Sequence, residues 1–504
     1  MIARWVLACE GFRIPVMNHC AFFVCLLAGL FAVASAHEVK PRPREDAALS
    51  SARYTSTVKL VEDALPAVAS IRTLRQSGTP AVFKMGVGSA SVIHADGYLL
   101  TNDHVVSGVA QGEVILPGRP PFPFKTIATM SSEDMALIKI EAGEPLDALR
   151  LGRSHDLMLG EPVLTIGNPG GLTHSVSTGI VSGLNRSTAI AESFLPWMIQ
   201  TSAAVSGGNS GGPLINAVGD QIGIVTSKKL DGENINFAIA VDRVREVFPV
   251  LLSAELRYGF RLGIEVDMYT AEAEVTSVTK GSPAEKAGIE GGDVIQSLNT
   301  KPVRSGIDFH LGLIGRTAGE KLTVGIKRGT EVVVTEAELA ELEQAEPIPD
   351  EGMIAGLAFE GFDGKWDQLP DFDGLKPVKR GRAETPTAEA YKTASGENYA
   401  LRFVGFLKIP REGLYTFYTS SDDGSRFKIG GEVVVNNDGL HGVLQSGGVA
   451  RLREGLHPVE VTFFEQGGDE KLEVSWEGPE MKREVIPAEA WFVREEEKTG
   501  SQSP

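Results

Sequence analysis

Ser210 lies in "GGNSGGPL" (207–214), with glycines on both sides. A serine hydroxyl is a poor nucleophile at neutral pH until a neighbouring base takes its proton. Histidine is the usual base, and a carboxylate on its far nitrogen fixes the tautomer and stabilises the imidazolium. Upstream, His104 ends the apolar run "GYLLTNDHVV" and Asp134 opens another in "SSEDMALIKI". These three side chains could serve as nucleophile, base and orienting acid for acyl transfer. Asp103 and Glu133 are neighbouring carboxylates that could compete for the orienting place. Side chains alternate faces along a strand, so Asp134 is the expected partner and Asp103 is expected to face solvent. The nine histidines show no short-range pairing with Cys, Asp or Glu that would make a zinc site.

The elements that must position these residues read as strands. Gly208 to Gly212 is a G-x-S-x-G string, which also marks the nucleophile elbow of α/β-hydrolases. That elbow needs a helix directly after the serine, with its acid and histidine downstream. Here "GGPLINAVGDQIGIV" follows, and Pro213 with its glycines favours strand, turn, strand. The order His, Asp, Ser is that of the chymotrypsin-type barrel. Short Val/Ile/Leu runs separated by Gly, Asn and Asp fill Val58 to Leu252, and a helix is expected at "VDRVREVFPVLL". A second unit follows with the strands "AEVTSVT" and "KLTVGIKRG" and a helical "SPAEKAG", then the acidic linker "ELEQAEPIPDEG" and a third, β-rich block.

Composition bounds the partners. A chain of 504 residues has room for about three domains. A net charge of −18 argues against nucleic acid or an anionic membrane as the main partner, since either needs a basic face. "FFVCLLAGLFAVASA" ends in Ala34-Ser35-Ala36 ahead of a polar stretch, the pattern of a secretory signal peptide cleaved after Ala36. Met17 is an alternative start, and an uncleaved anchor is disfavoured by the short apolar core. All three cysteines (Cys9, Cys20, Cys25) precede the cleavage site, so the mature chain is expected to hold no thiol and no disulfide.

The strings "DGYLLTNDHVV", "DMALIKI", "IGNPGG", "STGIVSG" and "GGNSGGPL" resemble, in order and spacing, the HtrA/Deg serine proteases of the trypsin-like superfamily. The resemblance covers residues 60–245. It implies a catalytic His104, Asp134 and Ser210, with the amides of Gly208 and Ser210 as the oxyanion hole, worth roughly 3–4 kcal/mol per donor. The base of the P1 pocket falls on Ala204, which implies cleavage after small or medium apolar residues. Ser202 stands where the family usually carries Asp, and Pro169-Gly170-Gly171 where an aromatic often follows the proline, so the specificity loops must be supported differently.

"FRLGIEV" with "VTKGSPAEKAGIEGGDVIQSLNTKPV" resembles a PDZ domain. Such a domain adds a peptide C-terminus as an extra strand and holds its carboxylate on loop amides, here Leu262, Gly263 and Ile264. Asp293 is expected to be a turn residue. "REGLYTFYTSSDDGSRFKIGGEVVVNNDGLHG" resembles a PA14 domain, some members of which bind glycans through calcium held by an aspartate pair. Asp422 and Asp423 match that pair, and Asn436 or Asn437 could add an oxygen.

The expected fold is mainly β: a chymotrypsin-like double β-barrel, an α+β PDZ domain and a PA14 β-sandwich. The expected boundaries are a signal peptide at 1–36, linker 37–57, protease 58–252, PDZ 257–343, linker 344–353, PA14 354–494 and a charged tail 495–504. The resemblance implies an ATP-independent endopeptidase, with no cofactor for proteolysis and no metal in the protease domain. Its expected partners are unfolded envelope proteins, peptide C-termini and carbohydrate, in a trimer in the periplasm, the envelope or outside the cell. The alternative is an inactive exported adaptor that binds C-termini and glycans.

Overall fold

The barrel strands are runs of Val, Ile, Leu and Ala whose inward side chains exclude water. In Met135–Ile140, five of six residues are buried, and burying each large aliphatic contributes roughly 1.5–3 kcal/mol. A computed structural model describes residues 53–77, 82–168, 174–190, 193–228, 235–391, 393, 397–467 and 470–495. The expected leader, the three cysteines, Pro169-Gly170-Gly171 and residues 496–504 lie outside these.

Two closed six-stranded barrels come first. One orders Val68–Ser77, Val82–His94, Tyr98–Thr101, Met135–Ile140, Phe122–Met130 and Gln111–Ile115. The other orders Pro213–Asn216, Gln221–Lys228, Asn236–Ala240, Ser193–Thr201, Ser175–Ile190 and Pro162–Gly167. Closure leaves no edge strand to pair wrongly. A strand, not a helix, follows Ser210, which excludes the α/β-hydrolase elbow. The helix Val241–Leu252 forms over the expected twelve residues and buries Val244, Val247, Phe248 and Leu251.

A short helix, Ala254–Tyr258, leads into the second unit. Its sheet orders Ile264–Val266, Ala273–Val278, Val294–Leu298, Lys321–Arg328 and Glu331–Glu338, with Ile264–Val266 at an edge. The helices Pro283–Lys286 and Gly306–Gly312 are capped by Ser282 and Ser305, whose hydroxyls accept the amides of Glu285 and Asp308. Asp293 is a buried partner of Arg328, which donates to it at 2.7 and 2.8 Å. One apolar core runs from the barrels through Phe248 and Phe260 into this unit.

The last unit is a sandwich of an eight-stranded and a four-stranded sheet. Its interior is aromatic: Tyr399, Phe403, Tyr415, Phe417, Phe427, Phe463 and Trp491 are fully buried. The edge strand Leu444–Leu452 lies against the turn Ser131–Glu133 and the strand Ser193–Thr201 of the barrels.

Candidate active site and associated sites

His104 sits on a four-residue helix, Asp103–Val106, between the strands of the first barrel. Arg75 holds that helix by its carbonyl end, donating to His104 O at 2.6 Å, Val105 O at 2.8 Å and Ser107 O at 3.1 Å. Asp134 follows the turn Ser131–Glu133 in the left-handed region (φ 47°), which Asp tolerates better than most residues. Its carboxylate lies 2.8 and 3.0 Å from His104 Nδ1 and accepts the His104 amide at 3.1 Å. This makes Nδ1 the protonated nitrogen of the neutral ring and leaves Nε2 to accept a proton.

Ser210 comes from the second barrel, on a loop shaped by two left-handed glycines. Gly208 has φ 108° and Gly211 φ 85°, and a Cβ at Gly211 would fall 2.2 Å from both Ser89 O and Thr101 Oγ1. The Gly208 carbonyl accepts the Ser89 hydroxyl at 2.8 Å and the Asn168 amide at 3.3 Å. The amides of Gly208 and Ser210 have no partner among the described residues, as oxyanion donors require. The Ser210 hydroxyl donates to Thr226 O at 3.0 Å and makes no hydrogen bond to His104. His104 and Asp134 are therefore paired, while the Ser210 hydroxyl is engaged elsewhere.

Two positioning residues were not singled out from the sequence. Thr226 donates its hydroxyl to Asp134 Oδ2 while its carbonyl holds Ser210, and Asn102 Nδ2 donates to Asp134 O at 2.9 Å. Both lie inside strings that could have been searched, "IVTS" and "LLTND", but their roles depend on which strands become neighbours. Glu133 does not compete for His104. It is paired with Arg243 of the helix Val241–Leu252, with Nε at 3.0 Å.

Asp103 corrects an expectation. It is 7% exposed, not solvent-facing, and accepts the Ser131 hydroxyl at 2.8 Å. Strand alternation does not apply because Asp103 opens a helix, and the sandwich lies over the same turn. Burial, with Asp134 and Glu477 nearby, pushes its carboxyl up to about 6 against the Ser131 bond.

Ala204 is exposed beside the loop. Its amide donates to Ser177 Oγ at 2.8 Å, and its side chain offers no charge to a basic substrate residue. Ser202 supports the neighbouring strand by accepting the Ile180 amide at 3.0 Å.

In the second unit, the amides of Leu262 and Gly263 do meet a carboxylate, but it is the chain's own. Both donate to Glu255 Oε1, at 2.9 and 2.8 Å. Ile264 begins the adjoining edge strand.

In the sandwich, Asp422 and Asp423 are joined by a third buried carboxylate, Glu465, with ligand atoms within 4.8 Å of one another. Asp423 accepts the amides of His441 at 3.0 Å and Gln466 at 2.9 Å. Neither oxygen of Glu465 reaches a well-formed hydrogen bond among the described residues, and the residue is 1% exposed. Burial, then Asp423 and Asp422, push its carboxyl up to about 8, opposed weakly by the nearby Gly467 amide. Asn436 Oδ1 is taken by Arg426, and the Asn437 amide nitrogen donates to Ser421 and Leu444. The donor set is hard oxygen, and the orphaned Glu465 oxygens fit a calcium-like cation. Glu465 was missed because it lies 42 residues from Asp423 and reaches it only across the paired strands Ser425–Ile429 and Gly455–Glu465.

Family models agree with three units: a trypsin-like peptidase domain over residues 88–224, a PDZ domain over 261–339 and a PA14 domain over 384–490. A probable periplasmic serine endoprotease DegP-like of Ectopseudomonas mendocina is 33% identical over 332 residues, 56% of this chain and 69% of that protein. The periplasmic serine endoprotease DegP of Escherichia coli K12 is 37% identical over 325 residues, 60% of this chain and 66% of its own. The chain spans only 59% of a similar protein of Hahella chejuensis, at 37% identity over 53% of this chain. Among solved structures, an HtrA-type protease AlgW with tripeptide is 30% identical, covering 59% of this chain and 99% of that one, at a TM-score of 0.37. The chain belongs to the DegP-like, HtrA-type serine endoprotease family, and it carries a PA14 sandwich after the PDZ domain.

Proposed function

We propose that the chain is an exported, ATP-independent serine endopeptidase that hydrolyses unfolded or damaged envelope proteins. The observation that carries this reading is the His104–Asp134 pair, at 2.8 Å, facing a glycine-shaped loop that offers Ser210 and two amides with no partner among the described residues. His104 takes the Ser210 proton as the hydroxyl attacks the carbonyl and returns it to the leaving amine. Asp134 stabilises the imidazolium, and the Gly208 and Ser210 amides receive the oxyanion. Ala204 favours small or medium apolar P1 residues. The PDZ domain receives peptide C-termini, and the protease barrels assemble as a trimer. The names of the relatives place those proteins in the periplasm, which accords with the leader-like N-terminus. A fluorophosphonate probe should label the wild type and not Ser210→Ala, and casein should be cleaved by the wild type alone. An unlabelled wild type that leaves casein intact would favour the adaptor reading.

A second reading concerns the sandwich. Asp422, Asp423 and Glu465 would hold a calcium ion that presents open coordination positions to sugar hydroxyls. The unpartnered Glu465 oxygens favour it. Calcium should raise the melting temperature of the wild type and not that of Glu465→Gln. Glycan-array binding that survives chelation and Asp422→Ala would contradict it.

A further inference from the structure

The amides that a PDZ domain gives to a peptide carboxylate are already bonded to a carboxylate here. Glu255 Oε1 accepts both the Leu262 and the Gly263 amide, and Oε2 lies 3.4 Å from Arg261 Nη1. Two amides and a guanidinium around one carboxylate reproduce what a free C-terminus would find in this loop. Glu255 lies on Ala254–Tyr258, a helix of five residues between Ser253 at φ 41° and Gly259 at φ 72°. So short a helix has little stability of its own, and its position depends on what its side chains grip. The next strand, Ile264–Val266, is an edge strand whose outer side no other strand pairs among the described residues. The place for an added strand is therefore built, while the place for its terminal carboxylate is taken.

We propose that Glu255 is an internal stand-in for the peptide carboxylate, so that a C-terminal peptide docks on this domain by displacing it. The proposal rests on the PDZ reading and names the regulation of that site. A peptide running antiparallel to Ile264–Val266, with its carboxylate at Leu262 and Gly263, sends its upstream residues past Val266. There a cleft of about 1020 Å³ opens between this domain and the barrels, lined by Met268, Tyr269 and Ile307 on one side and Arg153 and Met158 on the other. Displacement also releases the helix that joins the three units. Ser253 ties it to the barrel helix through Pro249 O at 2.8 Å, and the carbonyl of Arg257 accepts Arg451 of the sandwich at 3.3 Å.

The test uses the full-length chain with Ser210→Ala, so that the probe is not cleaved. A fluorescein-labelled decapeptide ending in a free Val is titrated by anisotropy, with its C-terminal amide as control. When a competitor fills a site nine-tenths of the time, removing it tightens binding about tenfold. Adding Glu255→Ala, or the milder Glu255→Gln, should thus tighten the acid peptide about tenfold and leave the amide weak. Equal affinity with and without Glu255, with the acid still preferred over the amide, overturns the inference and leaves the PDZ reading standing. No preference for the acid in any variant overturns both. Hydrogen exchange on the chain with Glu255 intact gives an answer that does not depend on the variants folding. Saturating peptide should speed exchange across residues 254–258, and unchanged protection with peptide bound also overturns the inference.

Discussion

His104 must be neutral before it can accept a proton. Its burial pulls its pKa down, but the hydrogen bond to Asp134 and the charges of Asp134 and Asp103 outweigh this and leave it above 6.5. A raised histidine contributes stability that is complete below 6.5 and is lost as pH rises through the folded value. Activity runs the other way, so the pH of greatest stability at this site lies below the pH of greatest turnover. The acid limb of kcat/KM should have its midpoint above 6.5. Asp103→Asn removes one of the raising charges and should move that midpoint down by a few tenths of a unit while keeping the Ser131 bond. A limb at or below 6.5 in the wild type, unmoved by the variant, would show that Asp103 does not act on the imidazole. The three residues of the candidate site were legible because each sits in a local string of recognisable type. Asp103 was misread because its face depends on a helix only four residues long, which no periodicity reveals. Thr226 was passed over because its hydroxyl matters only once the second barrel brings it to Asp134.

At the scale of elements, the geometry of the candidate site depends on two small pieces that cannot stand alone. The helix carrying His104 is about one turn long, and Arg75 satisfies three carbonyls around its end from the neighbouring strand. The turn carrying Asp134 is anchored by Glu133 on Arg243. Arg75→Ala should lower kcat about ten- to a hundredfold with little change in KM, because a shift of an ångström at a catalytic group costs about that much. Arg75→Lys should recover only part of the loss, since an ammonium cannot reproduce the planar fork. A rise in KM with unchanged kcat would place Arg75 in substrate binding instead. The barrel strands were readable as apolar runs punctuated by Gly and Asn. The junction helix was not, because residues 253–256 fall between the expected domains 58–252 and 257–343. Five residues with one glutamate carry no periodic signal, yet that glutamate accepts the amides of Leu262 and Gly263.

The whole molecule carries a net charge of −18, and a carboxylate of the sandwich acts electrostatically on one of the barrels. Asp103 belongs to the helix that carries His104 and Glu477 to the sandwich, where it accepts the Tyr418 hydroxyl at 2.7 Å. Glu477 is one of the groups that raise Asp103 to about 6. A carboxyl raised above its unfolded value holds its proton more tightly in the folded chain. Its contribution is therefore favourable at low pH and lost as pH rises through the window from 3.8 to about 6. Docking of the sandwich beside the candidate site should accordingly be firmer at pH 5 than at pH 7.5. Glu477→Gln keeps an oxygen for Tyr418 and removes the charge, so it should raise the melting temperature at pH 7.5 by about 1–3 °C. The gain should vanish below pH 5, where Asp103 is already neutral. Added salt should imitate the substitution in the wild type only in part, because Asp103 is buried and Glu477 half-buried. An equal gain at pH 5 and pH 7.5 would mean that Glu477 acts within the sandwich alone, and that the two domains do not meet through these carboxylates.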